Sequence, residues 1–564
     1  MADQVRRDYY ERQRGSMKVE RSSFIPHYKE ISDNTSPRRG RFEITDRNVG
    51  TKRHNNIINS HGIQALNTAQ AGMFAGVMSP TRPWFDLGVP DPSLMEFMPV
   101  KAWLRGVANQ MRTIFNAGNL YTMAPVMIGE LLQFGTGCMT QVDDSENLAR
   151  FFTHTAGSYM IGQDHNFVVN QLCREYMMTA EQMALEFTDG TNLSGLSTSV
   201  KTALDRGNYG AWFPVVHFIE PNGDFRPRNP LAKFKPFSSV KYEPGNRDKN
   251  MFLRQSGFDE FPGYTPRWAT AGEDIYGTDC PGMITLGDIK QLQIMEKRKA
   301  QGIDKMVNPP LTGPASVRNV PVSSLPGGLT VYDGDSSRNK LEALYAVNIN
   351  LQDLKEDIAK VERRIDSAFK VDLFLAISNM EGIQPRNQLE LSERNAERLL
   401  QLGPVLERLQ GEFLDLMISR TFNQMLRAGI VPPPPEELSG QPLKIEYISS
   451  LAQAQRAVDT RGIDRLTQYI GGLMSVGLSD GKKFNGDAAI SEYADLVGTP
   501  PKLMVSDEEI AQSRQEEAER AAQAANLEAG EQAARTAASA GQVDLEKDNP
   551  VSRAVNNLQG AQGG

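Results

Sequence analysis

Residues 72–92, GMFAGVMSPTRPWFDLGVPDP, run from a smooth Gly/Ala/Met surface straight into a proline-bracketed Arg82-Pro83-Trp84-Phe85. Gly72, Ala75 and Gly76 let another backbone come close. Pro80 stops a helix at about Met78 or Ser79, because proline lacks a backbone donor and pushes its predecessor out of the α region. Trp84 and Phe85 then supply a large apolar anchor beside Arg82. Such a segment is wedged between packed elements. Gly72, Gly76, Trp84 and Phe85 are therefore read as packing residues and not as parts of a catalytic loop.

At 564 residues the chain exceeds one ordinary core, and about two to four lobes are expected. Its composition, 40% hydrophobic and 23% charged, is that of a soluble globular protein. The stretch nearest to a membrane span, 120–139, is broken by Pro125, Glu130 and Gln133, so none is expected. The N-terminus, MADQVRRDYYERQRG, carries charges where a signal peptide needs an apolar run. Cys138, Cys173 and Cys280 lie far apart, which argues against a zinc site or disulfide framework and fits a reducing cytoplasm. The net charge of −8, from 61 basic and 69 acidic residues, is opposite to that of a protein gripping nucleic acid tightly. Any DNA contact is expected to be loose or local.

Residues 1–60 are polar and locally basic, and read as a solvated arm or as one that wraps a neighbouring subunit or touches DNA. Residues 55–140 are mainly helical in pattern. From about 205 to 270, the runs AWFPVVHFIE and NMFLRQSGF between Pro/Gly/Asn turns read as sheet. A helix starts near Leu286, with Thr285 and Asp288 as a capping-box-like pair, and Pro309-Pro310 ends it. Residues 309–347 are rich in Pro, Gly, Ser and Asn, with a short strand expected at 328–332. Leu351, Leu354, Ile358, Val361, Ile365 and Ala368 then repeat at 3,4,3,4,3, with Asn350 as N-cap. The stripe is short for a free coiled coil and fits a helix packed against a copy of itself or a neighbour. A helix over about 390–428 should kink at Gly403-Pro404 and end at Gly429, before the stiff PPPP spacer at 432–435. Further helices are expected near 449–475 and from Ser506 to about 539, followed by a disordered tail.

Chemistry-bearing motifs are missing. The sequence has no GxxxxGK[ST], GxSxG or HExxH motif, and no GxGxxG after a strand. His154 and His165 match no metal spacing and are read as structural. YDGDSSRNKL at 332–341 resembles a calcium loop, but has Arg338 where glycine is needed and Leu344 where glutamate is needed.

Five blocks in order resemble the head-to-tail connector, or portal, family of short-tailed bacteriophages. They are GMFAGVMSPTRPWFDL, CREYMMTAEQMALEF (173–187), FLRQSGFDEFPGYTPRWATAGEDIYGTDCPGMITLGDIKQLQ (252–293), LGPVLERLQGEFLDLMISRTF (402–422) and YISSLAQAQRA (447–457). The resemblance covers about residues 55–475. Departures are Thr278-Asp279-Cys280 before Pro281-Gly282, where the family has Ser-Pro-Gly, and QPRNQLELSE at 384–393, where it has Thr-Ala-Thr-Glu.

The resemblance implies an α+β, mainly helical portal fold assembled as a ring, usually of about twelve subunits, at one capsid vertex. Laid on this chain, it gives an N-terminal arm (1–54), a wing (55–283), a first stem helix (284–306), a clip (307–347) and a second stem helix (348–375). A channel loop (376–391), a long kinked helix with the wing and crown base (392–500), a crown helix (501–540) and a tail (541–564) follow. It implies no enzyme and no cofactor or metal. The implied partners are further copies of the chain, double-stranded DNA in the channel, the terminase large subunit, tail adaptor proteins, the major capsid protein, and scaffolding and ejection proteins. There would be no membrane partner. The place would be the virion, after assembly in the host bacterial cytoplasm.

A conduit needs a wall that does not hold DNA still. Twelve copies at −8 each give about −96, which suits passage more than grip. Candidate basic rings are Lys297, Arg298, Lys299 and Lys305 on the first stem helix, and Lys360, Arg363 and Arg364 on the second. Taken singly, each reads first as part of an ordinary solvated helix face towards the outer shell. Channel-loop candidates, made so by the resemblance, are Asn379, Met380, Glu381, Gln384, Arg386 and Asn387. The competing readings are a helical adaptor dimerising through 350–370 and a DNA-processing enzyme.

Overall fold

The computed structural model describes residues 2–47, 50–91, 94, 97–188, 195–246, 252–313, 318, 322–323, 342–344, 350–378, 402–438, 444–447 and short stretches between 466 and 522. Two compact units are present, Met1–Val458 and Asp459–Gly564. In the second, residues 466–474 and 519–522 are helical.

The first unit mixes helix and sheet. It begins with α1 (Ala2–Ser22), α2 (Ile25–Thr35), α3 (His61–Val77), β1 (Phe85–Gly88), α4 (Met98–Ala117) and α5 (Leu120–Phe134). Strands β2 (Met139–Asp144), β3 (Leu148–Thr153), β4 (Tyr159–Gln163) and β5 (Val169–Thr179) follow, then α6 (Ala180–Phe187) and α7 (Thr198–Asp205). Next come β6 (Trp212–Pro221), β7 (Phe237–Tyr242), β8 (Arg254–Phe258) and β9 (Gly263–Tyr264). The short α8 (Pro281–Ile284) leads into α9 (Leu286–Val307), and β10 (Leu311–Thr312) pairs with β11 (Glu342–Ala343). The chain returns along α10 (Leu351–Ala368) and α11 (Val371–Ser378). A helical run from 402 then continues into α12 (Asp415–Arg427), and β12 (Lys444–Tyr447) closes the unit.

A five-stranded antiparallel sheet has the order β4-β5-β6-β7-β8, and a three-stranded one has the order β3-β2-β9. The larger sheet therefore recruits 159–179 as well as the aromatic runs after 205. The β5–α6 corner is set by its Thr-Ala-Glu-Gln sequence. Thr179 Oγ1 accepts from the Gln182 amide at 3.2 Å, and Gln182 Oε1 accepts from the Thr179 amide at 3.0 Å. This reciprocal capping box satisfies two orphan helix donors.

Residues 2–35 differ from a solvated arm. They form α1 and α2, packed on the body of the same chain. Arg7, Tyr10, Met17 and Arg21 are buried along α1, with half-buried Arg14 between them. Their spacing follows one helix face. Tyr10 and Met17 enter the core with Phe218, Val240 and Tyr242, while Tyr28 and Ile31 of α2 pack against Phe134. The arginines are stabilised inside by partners: Arg7 lies 3.5 Å over the Tyr242 ring, and Arg21 donates to the Gly157 and Tyr159 carbonyls at 2.6 and 3.0 Å.

The main core collects α3, α4, α5, α10, α11 and the 402–427 helix. Trp84 and Phe85 are fully buried in it. The Trp84 indole donates to the Tyr121 hydroxyl at 3.0 Å, and β1 pairs with β12 so that Phe85 faces Tyr447. Gly72 lies where α3 meets α11. A Cβ there would stand 2.4 Å from the Phe374 Cβ, so only hydrogen fits. Gly76 is buried on the same helix.

Candidate functional site

Two helices leave and re-enter this body as a pair. The first turn of α9 meets the last turns of α10, where Arg364 holds Asp288 at 2.7 Å and the Gln291 side chain at 3.2 Å. The chain thus runs out along one helix and back along the other. Ile289 and Leu292 of α9, with Ile358, Val361 and Ile365 of α10, are buried in the main core. Ile358, Val361 and Ile365 of the 3,4-spaced stripe are therefore covered within their own chain, by α9 and α3, and are not left for a dimer partner. Asn350 caps α10 as its sequence implies, accepting from the Gln352 and Asp353 amides.

Thr285 departs from the expected cap. Its backbone is already helical because α8 precedes it, and its hydroxyl donates back to the Pro281 carbonyl at 2.7 Å. A threonine inside a helical run makes that local bond instead of bonding forward to N3.

The 58–61 segment, which enters α3, is clamped between the paired helices. Gln293 Oε1 accepts from the Ile58 and Asn59 amides at 2.7 and 2.8 Å, and the Asn59 amide group reaches Glu362 at 3.2 Å. His61 Nε2 sits 2.9 Å from Asp366, whose carboxyl is pushed up by burial against the opposing pull of His61. A second joint ties the 402–427 helix to the sheets. Arg267, 6% exposed, grips Glu412 through Nη2 at 2.6 Å and Nε at 3.0 Å, while its own backbone amide donates to the same carboxylate at 2.8 Å. Glu412 lies in a π-helical turn, Gln410–Leu414. The extra residue of such a turn rotates the side chains that follow it. Four residues or more beyond, Arg420 donates to the Glu260 carbonyl at 2.8 Å, and Gln141 bonds Thr421 at 3.1 Å.

The sequence-derived cations sit along the helix pair. Lys297, Arg298 and Lys305 are exposed and make no ion pair among the described residues. Lys299 pairs with Glu296 at 2.7 Å and Lys360 with Asp357 at 2.9 Å, which raises the Lys360 pKa. Arg363 is exposed and donates to the Ala359 carbonyl at 3.2 Å. Arg364 is held by Asp288. The outer half of α9 also leaves Ile303, Met306 and Val307 exposed, Val307 by 70%. Asn379, Met380, Glu381, Gln384, Arg386 and Asn387 lie outside the described residues, as do the expected strand at 328–332 and the calcium-like loop at 332–341.

His154 and His217 are buried, bonded to Thr140 and Ser239 at 2.9 Å each, and burial holds both well below the usual histidine range. His165 is exposed. Burial likewise pushes up the three free thiols. Among the described residues, no group of three or more His, Cys, Asp or Glu is placed to hold a metal ion, and no helix is long and apolar enough to cross a membrane. The joint residues Asn59, His61, Gln293, Arg267 and Glu412 were not singled out from sequence. Three of them, Arg267, Gln293 and Glu412, fall in blocks that carry the family resemblance.

The fold and its joints define an α+β structural protein in which a helix pair is braced by buried polar clamps. The chain belongs to the bacteriophage head to tail connecting protein family, whose model matches residues 7–505. It is 41% identical over 552 residues to a probable portal protein of Bordetella phage BPP-1, with 98% of each chain covered. It is 39% identical over the same length to the portal protein of Salmonella phage epsilon15, again with 98% of each covered.

Proposed function

We propose that this chain is the subunit of a portal ring of about twelve copies at one capsid vertex, the conduit for DNA packaging and ejection. The helix pair α9/α10 is the stem. Residues 55–283 act as the wing and 307–347 as the clip that docks the packaging terminase and later the tail adaptor. The 376–391 segment is the channel loop, and residues beyond 500 contribute to the crown. The chain acts as a structural subunit of the conduit and not as an enzyme.

One observation carries this reading: a long antiparallel pair rooted in the core whose outer part remains uncovered in the single chain. The 22 residues of α9 span about 33 Å at 1.5 Å each, enough to cross a shell. Ile303, Met306 and Val307 offer apolar surface to a neighbouring copy, while Lys297, Arg298, Lys305 and Arg363 offer sparse positive charge to a passing duplex. Duplex DNA has about one charge per 1.7 Å, so only a few basic rings on an acidic particle avoid a phosphate clamp.

The alternative of an adaptor dimerising through 350–370 loses its interface, because Ile358, Val361 and Ile365 are 5%, 2% and 0% exposed in the chain itself. The test is virions assembled with Arg386→Ala, or with Lys297, Arg298 and Lys305 together changed to Gln. Altered genome packaging or retention with intact rings is expected; unchanged packaging and retention in both would refute the channel assignment.

A further inference from the structure

A cavity of about 630 Å³ opens between α1, residues 41–47 and the larger sheet. Its size falls within the range of small-ligand sites. One wall is cationic. Glu175, 7% exposed, has Arg14 at 2.7 Å, Arg21 at 3.8 Å and Lys18 at 4.0 Å, and Arg14 also pairs with Glu11 at 2.7 Å. Arg21 is 4% exposed and its Nε has no hydrogen-bond partner. Arg41 adds a further positive charge from the 41–47 segment. Of the other lining carboxylates, Asp46 is held by Arg53 at 2.8 Å, which leaves Glu43. The lining is therefore in positive excess.

The opposite side is aromatic. Arg47 lies 4.0 Å over the ring of Trp212, and Trp212 is 41% exposed although it sits at the start of a core strand. An exposed tryptophan under a guanidinium is a stacking surface, and a nucleic-acid base stacks favourably on such a platform. Lysine and arginine beside it recognise phosphate by point charge and by fork geometry. The mouth is set by groups with little intrachain work to do: the Lys18 side chain is 58% exposed, and Arg47 is exposed.

We propose that this cavity binds a phosphate-bearing ligand of nucleotide size, with its phosphate on the Lys18–Arg14–Arg41 side and its planar group against Trp212 and Arg47. The shared chemistry is a nucleoside monophosphate, supplied either as a free nucleotide or as an unpaired nucleotide of a DNA strand. The site is separate from the helix pair, so its fate does not depend on the conduit reading.

Trp212 itself is the reporter. The full-length chain is titrated with deoxyadenosine monophosphate, inorganic phosphate, sodium sulfate at matched ionic strength, and a short single-stranded oligonucleotide, while tryptophan fluorescence is followed. Trp212→Phe identifies the signal against the other three tryptophans. The nucleotide should quench the signal saturably, phosphate should compete, and Lys18→Ala and Arg47→Ala should each weaken binding at least tenfold. Binding of the mononucleotide alone assigns the site to free nucleotides; equal or tighter binding of the oligonucleotide assigns it to a strand. Both substituted residues are exposed, so loss of folding is not the expected cause of a lost signal. Quenching equal to that by sulfate, affinity unchanged in both variants, or a site closed to every probe would each overturn the proposal.

Discussion

Removing the Arg267 side chain tests the second joint most sharply. Arg267→Ala deletes the two bonds to Glu412 Oε1, the one to Gln163 Oε1 at 3.1 Å and the one to the Phe167 carbonyl at 3.1 Å, and leaves the backbone amide bond to Glu412 Oε2 in place. Breaking a buried pair by removing one partner costs about 3–5 kcal/mol. The Glu412 side chain is 24% exposed and regains some water, so about 2–4 kcal/mol is the expected loss. Unfolding entropy near 2.1 cal/mol/K per residue, taken over the first unit, amounts to roughly 1 kcal/mol/K. The thermal midpoint should therefore fall by about 2–4 °C. Glu412→Gln should fall by less, since it keeps one acceptor oxygen for Arg267, and the double variant should lose less than the sum because the residues touch. Differential scanning calorimetry gives the midpoints, and hydrogen exchange over Gln410–Leu414 should accelerate in Arg267→Ala. A midpoint within 0.5 °C of the parent's, or strict additivity of the two substitutions, would refute the claim that this clamp holds the helix to the sheets.

Gly72→Ala should destabilise by about 1–3 kcal/mol through overpacking against Phe374, whereas Gly287→Ala, with nothing within 4 Å of its Cβ, should stabilise by about 0.5–1 kcal/mol in the same melts. His154 and His217 stay neutral in the fold, so the unfolded chain binds more protons below its histidine pKa, and stability falls as pH drops through it. Between about pH 6.5 and 5.5, each should cost about 1 kcal/mol. The variant His154→Gln/His217→Gln should flatten that part of the urea-midpoint profile. Arg364→Ala, which breaks an ion pair with a half-exposed arginine, should change stability by about 1 kcal/mol or less.

How far the sequence carried depended on where local signals agreed with tertiary packing. Asn350 and the 351–368 stripe were legible because cap and 3,4 periodicity point the same way, and Trp84-Phe85 because two aromatics beside prolines have few places to go. The partner of the stripe was not legible, since apolar spacing gives a face but not what covers it. The α1 helix escaped notice because arginines occupy its buried positions: Arg7, Arg14 and Arg21 look solvated by type, and only Tyr242, Glu175 and the carbonyls around them make burial tolerable. Strands β2 to β5 lie where polar residues interrupt the alternation. Thr285 carried a valid cap pattern that α8 overrode. The Arg267–Glu412 joint spans 145 positions, and no local rule links residues that far apart.

The central claim is a ring, and the mass of the purified chain in solution tests it most directly. At 62.5 kDa per chain, native mass spectrometry or light scattering should find a species near twelve times that, about 750 kDa. A closed ring of neighbouring size would change the subunit count and keep the account. A stable dimer as the end state would contradict it.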